Sequence, residues 1–215
     1  MAGNELLDRD RELRAVDGLV AQAVEGEARL VLIEGAAGIG KTRLLGEARR
    51  RAEAVGMRAL AARGSELERE FAFGVVRQLF EPLLGRERRR ALAGAAATAE
   101  AVFTAPAGAD TADGSFAALH GLYWLAANLT EEGPLALVVD DLHWCDRASL
   151  RFLAYLARRL EGLPVLVAAS LRPRAVLGAA RWRRQLRDRD GDRVRALRGA
   201  RALRRRHAVA GRPSP

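Results

Sequence analysis

Residues 29–42 read Arg29-Leu-Val-Leu-Ile-Glu-Gly35-Ala36-Ala37-Gly38-Ile39-Gly40-Lys41-Thr42. The first six form a short apolar run with β-branched members, the pattern of a buried strand. The last eight satisfy G-x-x-x-x-G-K-[ST] at every fixed position. Residues 41–55 then follow a helical pattern that closes at Gly56. Strand, glycine loop and helix in that order describe a phosphate-binding loop (P-loop). The glycines let successive backbone N–H groups turn inward around phosphate oxygens, where a side chain would obstruct them. The first turn of the helix adds the positive end of its dipole. In this reading Gly35, Ala36, Ala37, Gly38, Ile39 and Gly40 form the cradle, Lys41 reaches the β- and γ-phosphates, and the Thr42 hydroxyl ligates Mg²⁺. Of the 36 basic residues 35 are Arg, and the one Lys is Lys41. A compact ammonium suits a cradle that a wide guanidinium would overfill.

The pattern extends in both directions from the loop. Residues 6–24 place Leu6, Leu13, Val16, Leu19, Val20 and Val24 at helical spacing, and residues 57–63 form a second, weaker strand candidate. Ser65-Glu-Leu-Glu68 has the form of a capping box and predicts a helix start there. Phe73, Val76, Leu79, Phe80, Leu83 and Leu84 carry that helix to Gly85. Residues 86–114 read as part helix and part loop. Residues 115–129 and 148–160 are helical, while 135–140 and 165–170 are apolar strand runs. Strands that alternate with helices and are apolar throughout belong to a parallel sheet covered on both faces. The fold class expected is α/β, a three-layer P-loop NTPase with a mostly parallel central sheet and an irregular Arg-rich C-terminal tail. The domain division expected is 1–173 for the ATPase and 174–215 for the tail, with residues 192–198 as a poor last strand.

A P-loop needs a second acid for its magnesium at the end of another strand. Leu135-Ala-Leu-Val-Val-Asp140-Asp141 supplies one, with Asp140 as the Mg²⁺ carboxylate and Asp141 as the group that orients or deprotonates the attacking water. Arg172, just past the fourth strand run, is a cation near the γ-phosphate, because doubly wound sheets bind ligands at the carboxyl ends of their strands. His143, Trp144 and Cys145 follow the acid pair. Packing or loop contacts suit them better than a nucleophilic or metal role, since the chain has only three histidines, widely spaced.

The pI of about 11.1 raises the question of nucleic acid. Residues 172–215 hold fifteen Arg against three Asp, a net +12, and the whole chain is +9, which leaves −3 for residues 1–171. The basic character therefore belongs to the tail. One cysteine excludes an internal disulfide and fits a reducing, cytoplasmic setting. No signal peptide opens the chain and no apolar run approaches membrane-spanning length, so a membrane partner is not expected.

Further stretches carry a family resemblance: Leu7-Asp-Arg9-Asp-Arg-Glu12-Leu13, Ser65-Glu-Leu-Glu-Arg-Glu-Phe-Ala-Phe-Gly74-Val-Val-Arg-Gln-Leu-Phe80, Val139-Asp-Asp-Leu-His-Trp144 with Asp146, and Ala169-Ser-Leu-Arg172-Pro173. With the P-loop they cover roughly residues 5–173. The chain resembles the N-terminal ATPase domain of the large ATP-binding regulators of the LuxR type, among the signal-transduction ATPases with numerous domains, a branch related to AAA+ proteins. The resemblance implies a nucleotide-controlled switch with ATP and Mg²⁺ as cofactors and slow hydrolysis. It implies that Arg9 lies near the adenine, that Arg172 senses the γ-phosphate, and that other domains of a larger regulator or a second copy are the protein partners. This chain has Asp8-Arg9 where the family often has Gly-Arg. Residues 174–215 do not resemble the family's continuation and read as the product of a truncated gene or a shifted frame. Two alternatives stand beside the switch: sequence-indifferent nucleic-acid binding through the tail, and another kind of P-loop ATPase. Specific DNA binding is not expected, as the tail has no helix-turn-helix pattern.

Overall fold

The computed structural model describes residues 9–105 and 116–172, and the backbone of 194–198. One sheet organises the chain. Its strands are β1 (Arg29–Glu34), β2 (Arg58–Arg63), β3 (Leu135–Asp140), β4 (Val165–Leu171) and β5 (Val194–Arg198), in the order β2-β3-β4-β1-β5. Every pairing is parallel.

Helices cover both faces. α1 (Asp10–Val24) and α2 (Lys41–Ala54) pack on one side; α3 (Gly74–Ala91), α5 (Phe116–Thr130) and α6 (Arg147–Ala157) pack on the other, with the short α4 (Glu100–Thr104) beside α3. Side chains of a strand alternate between faces. In β1, Leu30 and Leu32 join the α3–α5–α6 core, while Val31 and Ile33 join the α1–α2 core. β3 divides in the same way, with Leu135, Leu137 and Val139 on one face and Ala136 and Val138 on the other. Both faces are dry, which is why these strands are apolar throughout. The result is the three-layer α/β fold of P-loop NTPases.

The strand and helix runs lie close to their expected positions, with two differences at α3. Ser65 makes no capping hydrogen bond, and residues Glu66–Glu68 form only a 3-10 turn. The helix starts at Gly74, after Phe73 in the left-handed region at φ 62°. Its N-terminus is capped from afar: Asp146 Oδ1 accepts from Phe73 N at 2.9 Å, Oδ2 accepts from Val75 N at 3.2 Å, and Ser149 Oγ accepts from Val76 N at 3.1 Å. Asp146 also caps its own helix α6 by accepting from Ser149 N at 2.8 Å. At the other end α3 runs through Gly85 to Ala91. Burial of Leu84 and Ala91 and the ion pairs Arg58–Glu87 and Arg88–Glu100 outweigh the modest propensity cost of one glycine.

Val194–Arg198 does form a strand, pairing with β1 from Leu30↔Val194 to Glu34↔Arg198. The rest of residues 173–215 lies outside the described residues, as do residues 1–8 and 106–115.

Candidate nucleotide site

The strand order sets β1, β4 and β3 side by side, so their carboxyl ends open together. Ile33 pairs with Ser170 and Val139 with Ala169, and beyond the last pair Gly35 N still donates to Leu171 O at 3.3 Å. The loop after β1, the acids after β3 and the segment after β4 therefore converge at one edge. This is where ligands bind in doubly wound sheets.

The glycine loop leads directly into α2. Gly38 and Gly40 sit at φ 74° and 83°, a region that residues with a Cβ rarely adopt, and Gly40 is the residue before the first turn of α2. Lys41 is buried, and its Nζ donates to Ala36 O at 2.9 Å, across the mouth of the loop. No carboxylate pairs with it among the described residues. An ammonium held by one carbonyl keeps two donors for a phosphate.

Thr42 and Asp140, 98 residues apart in sequence, meet directly: Thr42 Oγ1 donates to Asp140 Oδ2 at 2.8 Å. Asp140 Oδ1 accepts from Ser170 Oγ and, at 3.0 Å, from the backbone N of Asp141. Ser170 is fully buried and its Oγ also accepts from Asp141 N at 3.0 Å. Sequence reasoning passed over Ser170 as a site residue. Its signal was a polar residue ending an otherwise apolar strand run. A hydroxyl and a carboxylate side by side are the hard oxygen donors that Mg²⁺ prefers.

Asp141 stands at φ 50°, in the left-handed region. Such backbone costs about 1–3 kcal/mol for a residue with a side chain and persists only where neighbours hold it. Here its amide is held by Asp140 and Ser170, and its carbonyl accepts from Trp144 N at 2.8 Å. Its carboxylate accepts from Arg63 Nη2 at 3.0 Å, an ion pair that sequence reading did not foresee. Gly64, the next residue, donates its N–H to Asp140 O at 2.9 Å.

His143 lies just behind Asp141, with its Nδ1 3.9 Å from Asp141 Oδ1. It is 4% exposed, and both ring nitrogens are buried without a hydrogen-bond partner. Burial pushes its pKa below the ordinary value; Asp141 opposes the shift, and Arg172 and Lys41 add to it. The imidazole is thus neutral at neutral pH. Those same charges show that His143, Lys41, Asp140, Asp141 and Arg172 share one electrostatic neighbourhood. Arg172 itself is exposed. Cys145 is buried, and burial holds its thiol well above the ordinary pKa, which leaves it unreactive. No group of three or more His, Cys, Asp or Glu with metal-site geometry occurs among the described residues.

Arg9 completes the loop from the α1 side. It is 7% exposed, and its Nη2 donates to Ile39 O. Every other residue expected at the site belongs to the loop or to the ends of β3 and β4.

Comparison with known proteins identifies the family. The AAA ATPase domain family matches residues 5–168, and the chain belongs to that family. An uncharacterized protein of Rhizobium meliloti (strain 1021) is 31% identical across 80% of this chain, which spans 19% of that relative's length. Among solved structures, a chain from the Drosophila ORC bound to GC-rich DNA and Cdc6 is similar at 12% identity, with a TM-score of 0.45, over 98% of this chain and 66% of that one.

Proposed function

We propose that this chain is the ATP-binding, slowly hydrolysing switch domain of a LuxR-type transcriptional regulator. The observation that carries the ATPase reading is the Thr42–Asp140 hydrogen bond at 2.8 Å, which joins the glycine loop to the acid at the end of β3, beside a Lys41 that pairs with no carboxylate among the described residues. Backbone N–H groups of residues 35–42 and the start of α2 would receive the phosphates. Lys41 would exchange its bond to Ala36 O for β- and γ-phosphate oxygens. Thr42 and Asp140 would hold Mg²⁺, which when bound neutralises charge on the phosphates. Asp141 is the acceptor for the proton of the attacking water. Its ion pair with Arg63 holds the carboxylate in place after β3. Arg172 would contact the γ-phosphate and so separate ATP from ADP. Other domains of a larger regulator, or a second copy, are the partners this reading assigns.

The test is Mg²⁺-dependent ATP binding and phosphate release by the purified chain. Asp141→Asn should spare binding and lower turnover by about 100-fold, within the usual range for a general base. Turnover that is brisk and indifferent to Asp141→Asn would overturn the assignment.

A further inference from the structure

Arg43 follows Thr42 in the first turn of α2. Its Nε and Nη2 are both buried without a hydrogen-bond partner. These are the two donors of a single guanidinium edge, the edge that meets two oxygens of one phosphate in parallel. Farther along α2 the arginines are satisfied: Arg49 pairs with Glu53, Arg50 with Glu47, and Arg51 with Asp17 and Glu47. Only beside the loop is a guanidinium of this helix left with an open fork.

Arg9 is in a similar state, with its Nη1 also buried and unpaired. Neither Arg9 nor Arg43 has an ion pair among the described residues. Helical side chains lean toward the N-terminus, which directs Arg43 toward the loop end of α2. Arg9 touches the turn just before α2: its Nη2 donates to Ile39 O, and a Cβ placed on Gly40 would stand 3.5 Å from it.

We propose that Arg43 grips the α-phosphate of the nucleotide held on the P-loop. The assignment rests on the nucleotide reading above. The phosphate is the α because Lys41 and Thr42 are turned toward Ala36 O and Asp140 at the β–γ end, and Arg43, about 100° further round the helix, is turned away from both. Arg43 is then a residue that binds ATP and ADP alike and takes no part in telling them apart.

The experiment is titration calorimetry of Mg-ATP and Mg-ADP against the whole chain, with Arg43→Gln and Arg43→Lys, and thermal melting of each protein without and with nucleotide. Arg43→Gln should weaken both ligands by the same factor, about 10- to 100-fold for loss of a charge-assisted fork. Arg43→Lys should recover only part, since one ammonium cannot present two parallel donors. The nucleotide-free melting temperature of Arg43→Gln should hold or rise, because the substitution removes a buried charge with no partner. Unchanged affinities would overturn the proposal, as would a loss confined to ATP or a fall in the nucleotide-free melting temperature that tracks the loss of binding. Failure of the unsubstituted chain to bind any nucleotide would instead strike the P-loop reading, and this one with it.

Discussion

The Asp140 carboxylate accepts three hydrogen bonds at once, from Thr42, Ser170 and the Asp141 backbone. Asp141 has a different environment one residue later, with its carboxylate on Arg63 and its Cα in the left-handed region. The proposed function gives these two neighbouring acids separate tasks, and substitution should separate them. Asp140→Asn should weaken Mg²⁺-dependent binding of ATP while binding without metal changes little, which calorimetry with and without EDTA measures. Equal losses in both conditions would mean that Asp140 serves the fold and not the metal. His143 gives a pH prediction. Its folded pKa is below the ordinary value of about 6.5, so the unfolded chain takes up the proton first. Stability should be flat above pH 7 and fall as pH drops through 6.5 and below. His143→Gln should flatten that fall in urea melts between pH 5 and 8; an identical slope in both proteins would assign the acid sensitivity elsewhere. The acids, the loop and Arg172 were legible in the sequence because each is tied to a motif at the end of a strand run. Ser170 and Arg63 were not, because their roles come from which strands lie next to β3, and no local pattern states that order.

The helix ends and close contacts around β3 act at the scale of elements. Asp146, 2% exposed, joins the starts of α3 and α6 through its carboxylate. The local S-x-x-E reading placed the α3 start near Ser65, whereas the side chain that caps α3 sits more than 70 residues away in sequence. A capping box can be read from four residues; a cap supplied by another element cannot. Asp146→Ala should destabilise the fold by about 3–5 kcal/mol, combining loss of a helix cap with buried N–H groups left unpaired. A urea-denaturation difference under 1 kcal/mol would show that water or a neighbour replaces the carboxylate. Gly64 presses the same region from β2: a Cβ there would lie 2.6 Å from Asp141 O and 2.9 Å from Cys145 N. Gly64→Ala should therefore displace the Asp141 turn and lower hydrolysis more than ATP binding.

For the whole molecule, charge and fold divide differently along the chain. Residues 172–215 carry +12 and residues 1–171 carry −3, yet Val194–Arg198 lies within the basic part and pairs with β1. Alternating strands and helices made the sheet legible up to β4. β5 was harder to read because its sequence, Val-Arg-Ala-Leu-Arg, is interrupted by two Arg, as on an edge strand, and lacks the apolar run of the buried ones. Truncation after Arg198 should keep the sheet and nucleotide binding, while truncation after residue 173 removes β5, exposes the edge of β1 and should lower the melting temperature. Equal melting temperatures for the two truncations would mean that β5 adds nothing to the fold. Binding to DNA should be weak, indifferent to sequence and lost near physiological salt through counterion release, since a basic segment without a groove-reading element attracts phosphates alone. A footprint on a defined site that survives that salt would favour the nucleic-acid alternative. The central claim, a P-loop that binds ATP, is tested most directly by calorimetric titration of Mg-ATP into the unsubstituted chain and into Lys41→Ala. Lys41 is the one lysine in the sequence, so no neighbouring ammonium replaces it, and affinity should fall by about 100-fold or more, the range for removing one partner of a buried charge pair. Equal affinities in the two proteins would contradict the account.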